Sequence, residues 1–129
     1  MRAVPILAFS LLVAGCATST GGDPAGYDMN RITKEEILEA NAANLWEVVN
    51  RLRPRWLQVI NDAGFGGGAE VLVYRDNVQL NGVDDLRRMN PEIATELRWL
   101  NEMEASGRFS RAMASGRIAG AIVISTRDP

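Results

Sequence analysis

A single cysteine, Cys16, closes an apolar run at the start of this 129-residue chain. Arg2 precedes the run, Ala3–Ala14 carry no charge, and the small residues Ala14 and Gly15 stand directly before Cys16. A charged start, an apolar middle and small residues at the cut form the layout of a secretory signal, which is removed from the mature chain. The boundary predicts a signal over residues 1–15. Its removal leaves 114 residues, enough for one small domain and too few for two. No second cysteine exists, so no intrachain disulfide is possible. The apolar stretch is too short to span a bilayer, and no later segment approaches about twenty apolar residues. The mature chain is expected not to cross a membrane.

Val13-Ala14-Gly15-Cys16 resembles the lipobox of bacterial lipoproteins. That resemblance implies a diacylglycerol on the Cys16 thiol, removal of the signal, and Cys16 as the first mature residue. Two or three acyl chains grip a membrane far more firmly than one. Ala17 is not the aspartate that typically retains lipoproteins in the inner membrane, so the resemblance favours the outer membrane, on the periplasmic face. Residues 17–30 are small, polar and rich in Gly and Pro, and read with Cys16 as a tether. Without Arg2 the mature chain has 13 basic against 16 acidic residues, a charge near −3. It carries no basic run, which argues against nucleic-acid binding.

The folded part is expected to begin near Asn30. Thr33-Lys34-Glu35-Glu36 is a capping box, and Leu38, Ala42, Leu45, Val49 and Leu52 recur at steps of three and four. That stripe predicts one long N-terminal helix, stopped at Pro54 because Arg53 before a proline is pushed out of the helical region. Arg55–Ile60 reads as a short strand and residues 61–68 as a loop. Glu70–Tyr74 reads as a strand, Arg75-Asp76-Asn77-Val78 as a tight turn, and Val78–Leu80 as the return strand, ended by Gly82. Val83–Met89 reads as a short helix. Pro91 suits the first turn of another, which pattern alone would carry through Met103. The run from Ala119 to Thr126 reads as a buried central strand. These elements interleave in one small α+β or α/β domain.

The same residues bring a family into view. Arg31–Ile37 opening a helix, Leu52-Arg53-Pro54 closing one, and the Val71–Leu80 hairpin resemble parts of the plug domain of TonB-dependent outer-membrane receptors. So do Asn90–Leu100, Glu104–Phe109 and Ala119–Arg127. The order and spacing hold over residues 31–127. Asn77 stands where that hairpin usually has glycine, and Phe109-Ser110 where the family often has Tyr-Gly. The resemblance implies an α+β, plug-like mixed sheet. It also implies that Pro91–Ala94 is one helical turn passing into a strand over Glu96–Leu100, with Leu97 and Trp99 on one face. The receptors carry a large barrel that this chain lacks, and residues 17–30 contain nothing like a TonB box. The fold carries over; transport does not.

The chain has no histidine, which excludes Ser-His-Asp, Cys-His and His-based metal sites. Gly64-Phe65-Gly66-Gly67-Gly68 leads into a strand instead of a helix N-terminus and lacks Lys-Ser/Thr, so it reads as a surface loop and not a phosphate loop. Asp84 and Asp85, adjacent on a helix, diverge and suit a first turn, where the dipole favours negative charge. Trp46 and Trp99 read as core or its edge, and Trp56 as the exposed tryptophan. Arg51, Arg53 and Arg55 cluster at a helix end, with gripping a partner's carboxylates as a second reading.

Taken together, the residues predict no enzyme, no metal and no cofactor. They predict a lipid-anchored interaction or accessory module with an outer-membrane protein partner, the alternative being a small-ligand-binding lipoprotein. The partner or ligand surface is expected at Arg53, Arg55, Trp56 and Phe65.

Overall fold

In a computed structural model of the chain the described residues are 27–64, 69–109 and 117–128. The signal, Cys16, tether residues 17–26, the Phe65–Gly68 loop and Ser110 lie outside them.

The chain forms an α+β domain around a five-stranded mixed sheet. Its strands are β1 (Arg31–Thr33), β2 (Ala69–Arg75), β3 (Val78–Gln79), β4 (Glu96–Asn101) and β5 (Arg117–Ser125), in the order β1-β4-β5-β2-β3. β5 is central, antiparallel to β4 and parallel to β2. Helices α1 (Lys34–Glu39), α2 (Leu45–Leu52) and α3 (Pro54–Gly64) cover one face, and α4 (Glu102–Arg108) packs on the other.

The expected long N-terminal helix is two helices. The Thr33–Glu36 capping box starts α1 as anticipated. Asn41 then adopts a left-handed conformation, φ 44°, the usual conformation just past a helix C-cap. Asn44 caps a new helix by accepting from the Glu47 amide at 2.9 Å. The break rotates the stripe, so Leu38 is exposed and Ile37 is buried in its place.

Arg55–Ile60 is helical as well. Arg53 leaves the helical region as pre-proline residues do, yet Pro54 opens α3 instead of ending helical structure, its missing N–H costing nothing in a first turn. Trp56, Leu57 and Ile60 then line the inner face at helical spacing.

The remaining elements keep the expected order. Asp76 turns the β2–β3 hairpin with φ 54°. Its carboxylate accepts from the Thr126 amide at 3.0 Å and from Thr126 Oγ1 at 2.8 Å, locking the turn onto the end of β5. Those two bonds hold the carboxyl below the ordinary aspartate range. Gly82, at φ 141°, permits the sharp departure after β3 that a side chain would strain. Val83–Arg88 and Pro91–Ile93 are short 3₁₀ segments, and the second passes into β4.

The sheet divides two cores. Val71, Val73, Leu97, Trp99, Ile122 and Ile124 face the three N-terminal helices. Leu72, Tyr74, Leu100, Ala121 and Val123 meet α4 and Phe109 on the reverse, where the Tyr74 and Phe109 rings stack at 3.7 Å. The β2–β5 register skips Ala119, a bulge that puts Ile118 on the same face as Ala121 and Val123.

Candidate functional site

Residues 27–31 reach the domain across α3, and two side chains predicted as a partner surface hold them there. Arg53 is 4% exposed. Its guanidinium donates to the Asp28 carbonyl from Nε and Nη2 at 3.2 and 3.0 Å, and to the Leu52 carbonyl from Nη1. Nη2 also donates to the Arg31 carbonyl at 2.7 Å and to Glu36 Oε1 at 2.9 Å. Tyr27 lies over the same guanidinium at 4.3 Å. Arg53 therefore ties α1, α2 and the arriving chain together, and presents no open face to a partner's carboxylate. Burying so large a cation is sustainable because a carboxylate and several carbonyls meet it.

Trp56, expected to be exposed, is 3% exposed. Its indole N–H donates to the Met29 carbonyl at 3.0 Å, and its ring stacks on Trp99 with centroids 5.9 Å apart. Trp99 in turn lies over Gly120. A Cβ there would come within 2.6 Å of the indole and 2.8 Å of the Leu100 carbonyl. This glycine is thus fixed by contact, an instance of glycine in a strand marking a close approach. The last four residues of the predicted tether, 27–30, are bound to the domain by this Arg53–Trp56 pair.

Beside the pair opens a cleft of about 580 Å³, within the size range of small-molecule sites. Trp56, Trp99, Leu52, Val59 and Met29 supply apolar walls, and Arg55, Gln58 and Asp62 polar ones. Tyr27 and Met29, at the rim, are 57% and 49% exposed. Arg55 is exposed on α3, with no carboxylate within 4.0 Å among the described residues. The structure thus brings three predicted residues to one place and divides their roles: Arg53 and Trp56 build the wall, and Arg55 faces the opening. Phe65 lies outside the described residues. Sequence reasoning missed Tyr27, Met29 and Trp99 as cleft residues, because their meeting depends on how the chain crosses α3.

A second cleft, about 410 Å³, is lined by Arg31, Lys34, Glu35, Thr95, Glu96 and Arg127 among others and holds two ion pairs. Arg31 pairs with Glu96 at 2.6 Å and Lys34 with Asp128 at 3.5 Å. Glu35 there is held below the ordinary glutamate range by its own backbone amide and the Thr33 hydroxyl. Asp84 and Asp85 pair separately with Arg87 and Arg88, while Asp76 is committed to Thr126. Among the described residues no three metal-ligating side chains converge. Trp46 sits half-buried under Arg87, 4.0 Å from its ring.

The sheet's two edges are finished differently. At β1 the Arg31 amide donates to Asp28, the Arg31 carbonyl accepts from Arg53, and the Thr33 amide donates to Glu36. At the other edge β3 pairs only with Tyr74 and Arg75, and the Leu80 amide reaches Val73 at 2.8 Å. Ala69–Leu72 have no strand neighbour on that side among the described residues.

No helix among the described residues is long and apolar enough to cross a membrane. No protein-family model, curated protein or solved structure matches the chain.

Proposed function

We propose that this chain is a non-catalytic, lipid-anchored accessory module on the periplasmic face of the outer membrane, acylated at Cys16, whose plug-like domain binds a protein partner. The observation that carries the partner reading is the outer edge of β2 over Ala69–Leu72, which has no strand partner among the described residues. A partner's extended segment added there would continue the line of β3, gaining backbone hydrogen bonds for affinity and alternate side chains for specificity. Among the described residues the β1 edge is closed, so this is the side on which the sheet could be extended.

The lipobox motif and the small, polar stretch after it support the anchor. Cys16→Ser is expected to release the domain from the membrane fraction or leave its signal uncleaved. Partner binding is tested by co-purification from solubilised outer membranes, followed by amide hydrogen exchange. A bound partner is expected to slow exchange at Ala69–Leu72. Recovery of monomer alone in mild detergent removes the partner reading.

The cleft beside Trp56 favours a second reading, capture of a small ligand. Its test is a change in tryptophan emission on titrating candidate ligands into a Trp46→Phe background, which leaves Trp56 and Trp99 as reporters.

A further inference from the structure

The place where the chain joins the domain has a consequence for which face meets the membrane. Residue 27 is eleven residues from Cys16. Whatever their conformation, eleven residues reach no farther than about 40 Å. Because Arg53 and Trp56 bind residues 28, 29 and 31 directly to the fold, the attachment point cannot slide to another part of the domain. The chain therefore leaves for the bilayer from the face around Tyr27; because a reach of about 40 Å matches the width of a domain of about 100 residues, that face's own surface decides whether it docks.

That face sets exposed apolar side chains beside a cation, with Asp28 and Asp62 as its acidic residues. Tyr27 and Met29 are exposed side by side at the mouth of a cleft walled by Trp56, Trp99 and Leu52, with the exposed Arg55 beside them. Tyrosine suits the headgroup layer, where one end of the ring is apolar and the other wet. An arginine there can reach lipid phosphates while its stem lies along apolar surface. A short link also turns docking into an intramolecular event, so a weak surface suffices.

Resting on the acyl-anchor reading above, we propose that the Tyr27–Met29–Arg55 face, with its cleft, docks onto the phospholipid surface of the anchoring membrane. Tyr27 and Met29 enter the headgroup–acyl boundary, and Arg55 binds a phosphate.

The test uses the acylated protein reconstituted in vesicles of phosphatidylethanolamine and phosphatidylglycerol that contain a phospholipid with a photoreactive group in its acyl chain. Cross-linked peptides are mapped by mass spectrometry. Adducts are expected on residues 27–31 and 54–62. They should fall about tenfold in Met29→Glu and in Arg55→Glu, while both variants keep the near-ultraviolet signal of the folded tryptophans and still float with the vesicles. Adducts spread evenly over the surface, concentrated on the β2–β3 hairpin, or unchanged in both variants overturn the docking face and leave the anchor standing. A Cys16 peptide without acyl mass overturns the anchor, and the docking face falls with it.

Discussion

At one edge of the sheet, β1 spends its outward peptide groups on the domain itself, through Asp28, Arg53 and Glu36. At the other, a two-residue β3 covers only part of a seven-residue β2. The first edge is closed by a buried cation with a carboxylate and carbonyls around it. The second is made by a single left-handed aspartate clamped to Thr126. Closing an edge with a buried charge commits that charge to the fold, so the residue becomes structural. Leaving an edge short keeps backbone groups free for a partner, at the risk of unwanted pairing that shortness itself limits.

The sharpest way to break this contrast is Arg53→Met. Removing the guanidinium strands the Glu36 carboxylate and three carbonyls, and should cost about 3 kcal/mol, since one partner of a mostly buried pair is left uncompensated. Urea unfolding gives the magnitude. Hydrogen exchange should show faster exchange at Arg31 and Thr33, with the hairpin little changed. Equal loss at both ends would show that the two edges are not separately held.

Gly120→Ala comes next, at about 2 kcal/mol. The new methyl must displace the Trp99 ring and meets the Leu100 carbonyl, which cannot turn aside. Thermal unfolding measures the cost. A change in tryptophan emission is expected too, because Trp99 would lose its stacking on Trp56. A variant as stable as the parent would mean that Trp99 can repack without loss, and that the Trp56–Trp99 wall does not hold the cleft.

Asp76→Asn should have the smallest effect, confined to the hairpin. The native Asp76 carboxyl titrates below its unfolded value. Its contribution is therefore complete above the ordinary aspartate range, near pH 4, and is lost as pH falls through the lower folded value. The melting temperature of the parent should fall on acidification below about pH 4 more steeply than that of Asp76→Asn. Parallel curves would mean that the Thr126 clamp does not stabilise the hairpin.

Much of the fold is legible in the residues because its signals are local. The Thr33 capping box, the Asp76 turn, and the apolar runs of β2 and β5 each rest on neighbours a few positions apart. Two elements fold otherwise than their pattern suggests, for a reason also visible in the chain. Asn41 and Asn44 interrupt the apolar stripe with a C-terminal and an N-terminal helix signal, three residues apart, and the stripe's periodicity conceals them. Pro54 both ends a helix and begins one, and only the spacing of Trp56, Leu57 and Ile60 distinguishes helix from strand after it.

The site is only partly readable. Arg53, Arg55 and Trp56 do meet at one cleft, yet two of them serve the fold. Whether an arginine is a free hand or a buried tie depends on which distant carbonyls come within reach, and those of Asp28 and Arg31 lie more than twenty residues away in sequence. The class of the domain, its hairpin, its central strand and the exclusion of histidine chemistry are written in the residues alone, because these depend on composition and on contacts between near neighbours. How each sheet edge is finished among the described residues, which tryptophans are buried, and where the chain fastens to the domain emerge only in three dimensions. Burial and hydrogen-bond satisfaction are settled by residues far apart in the chain.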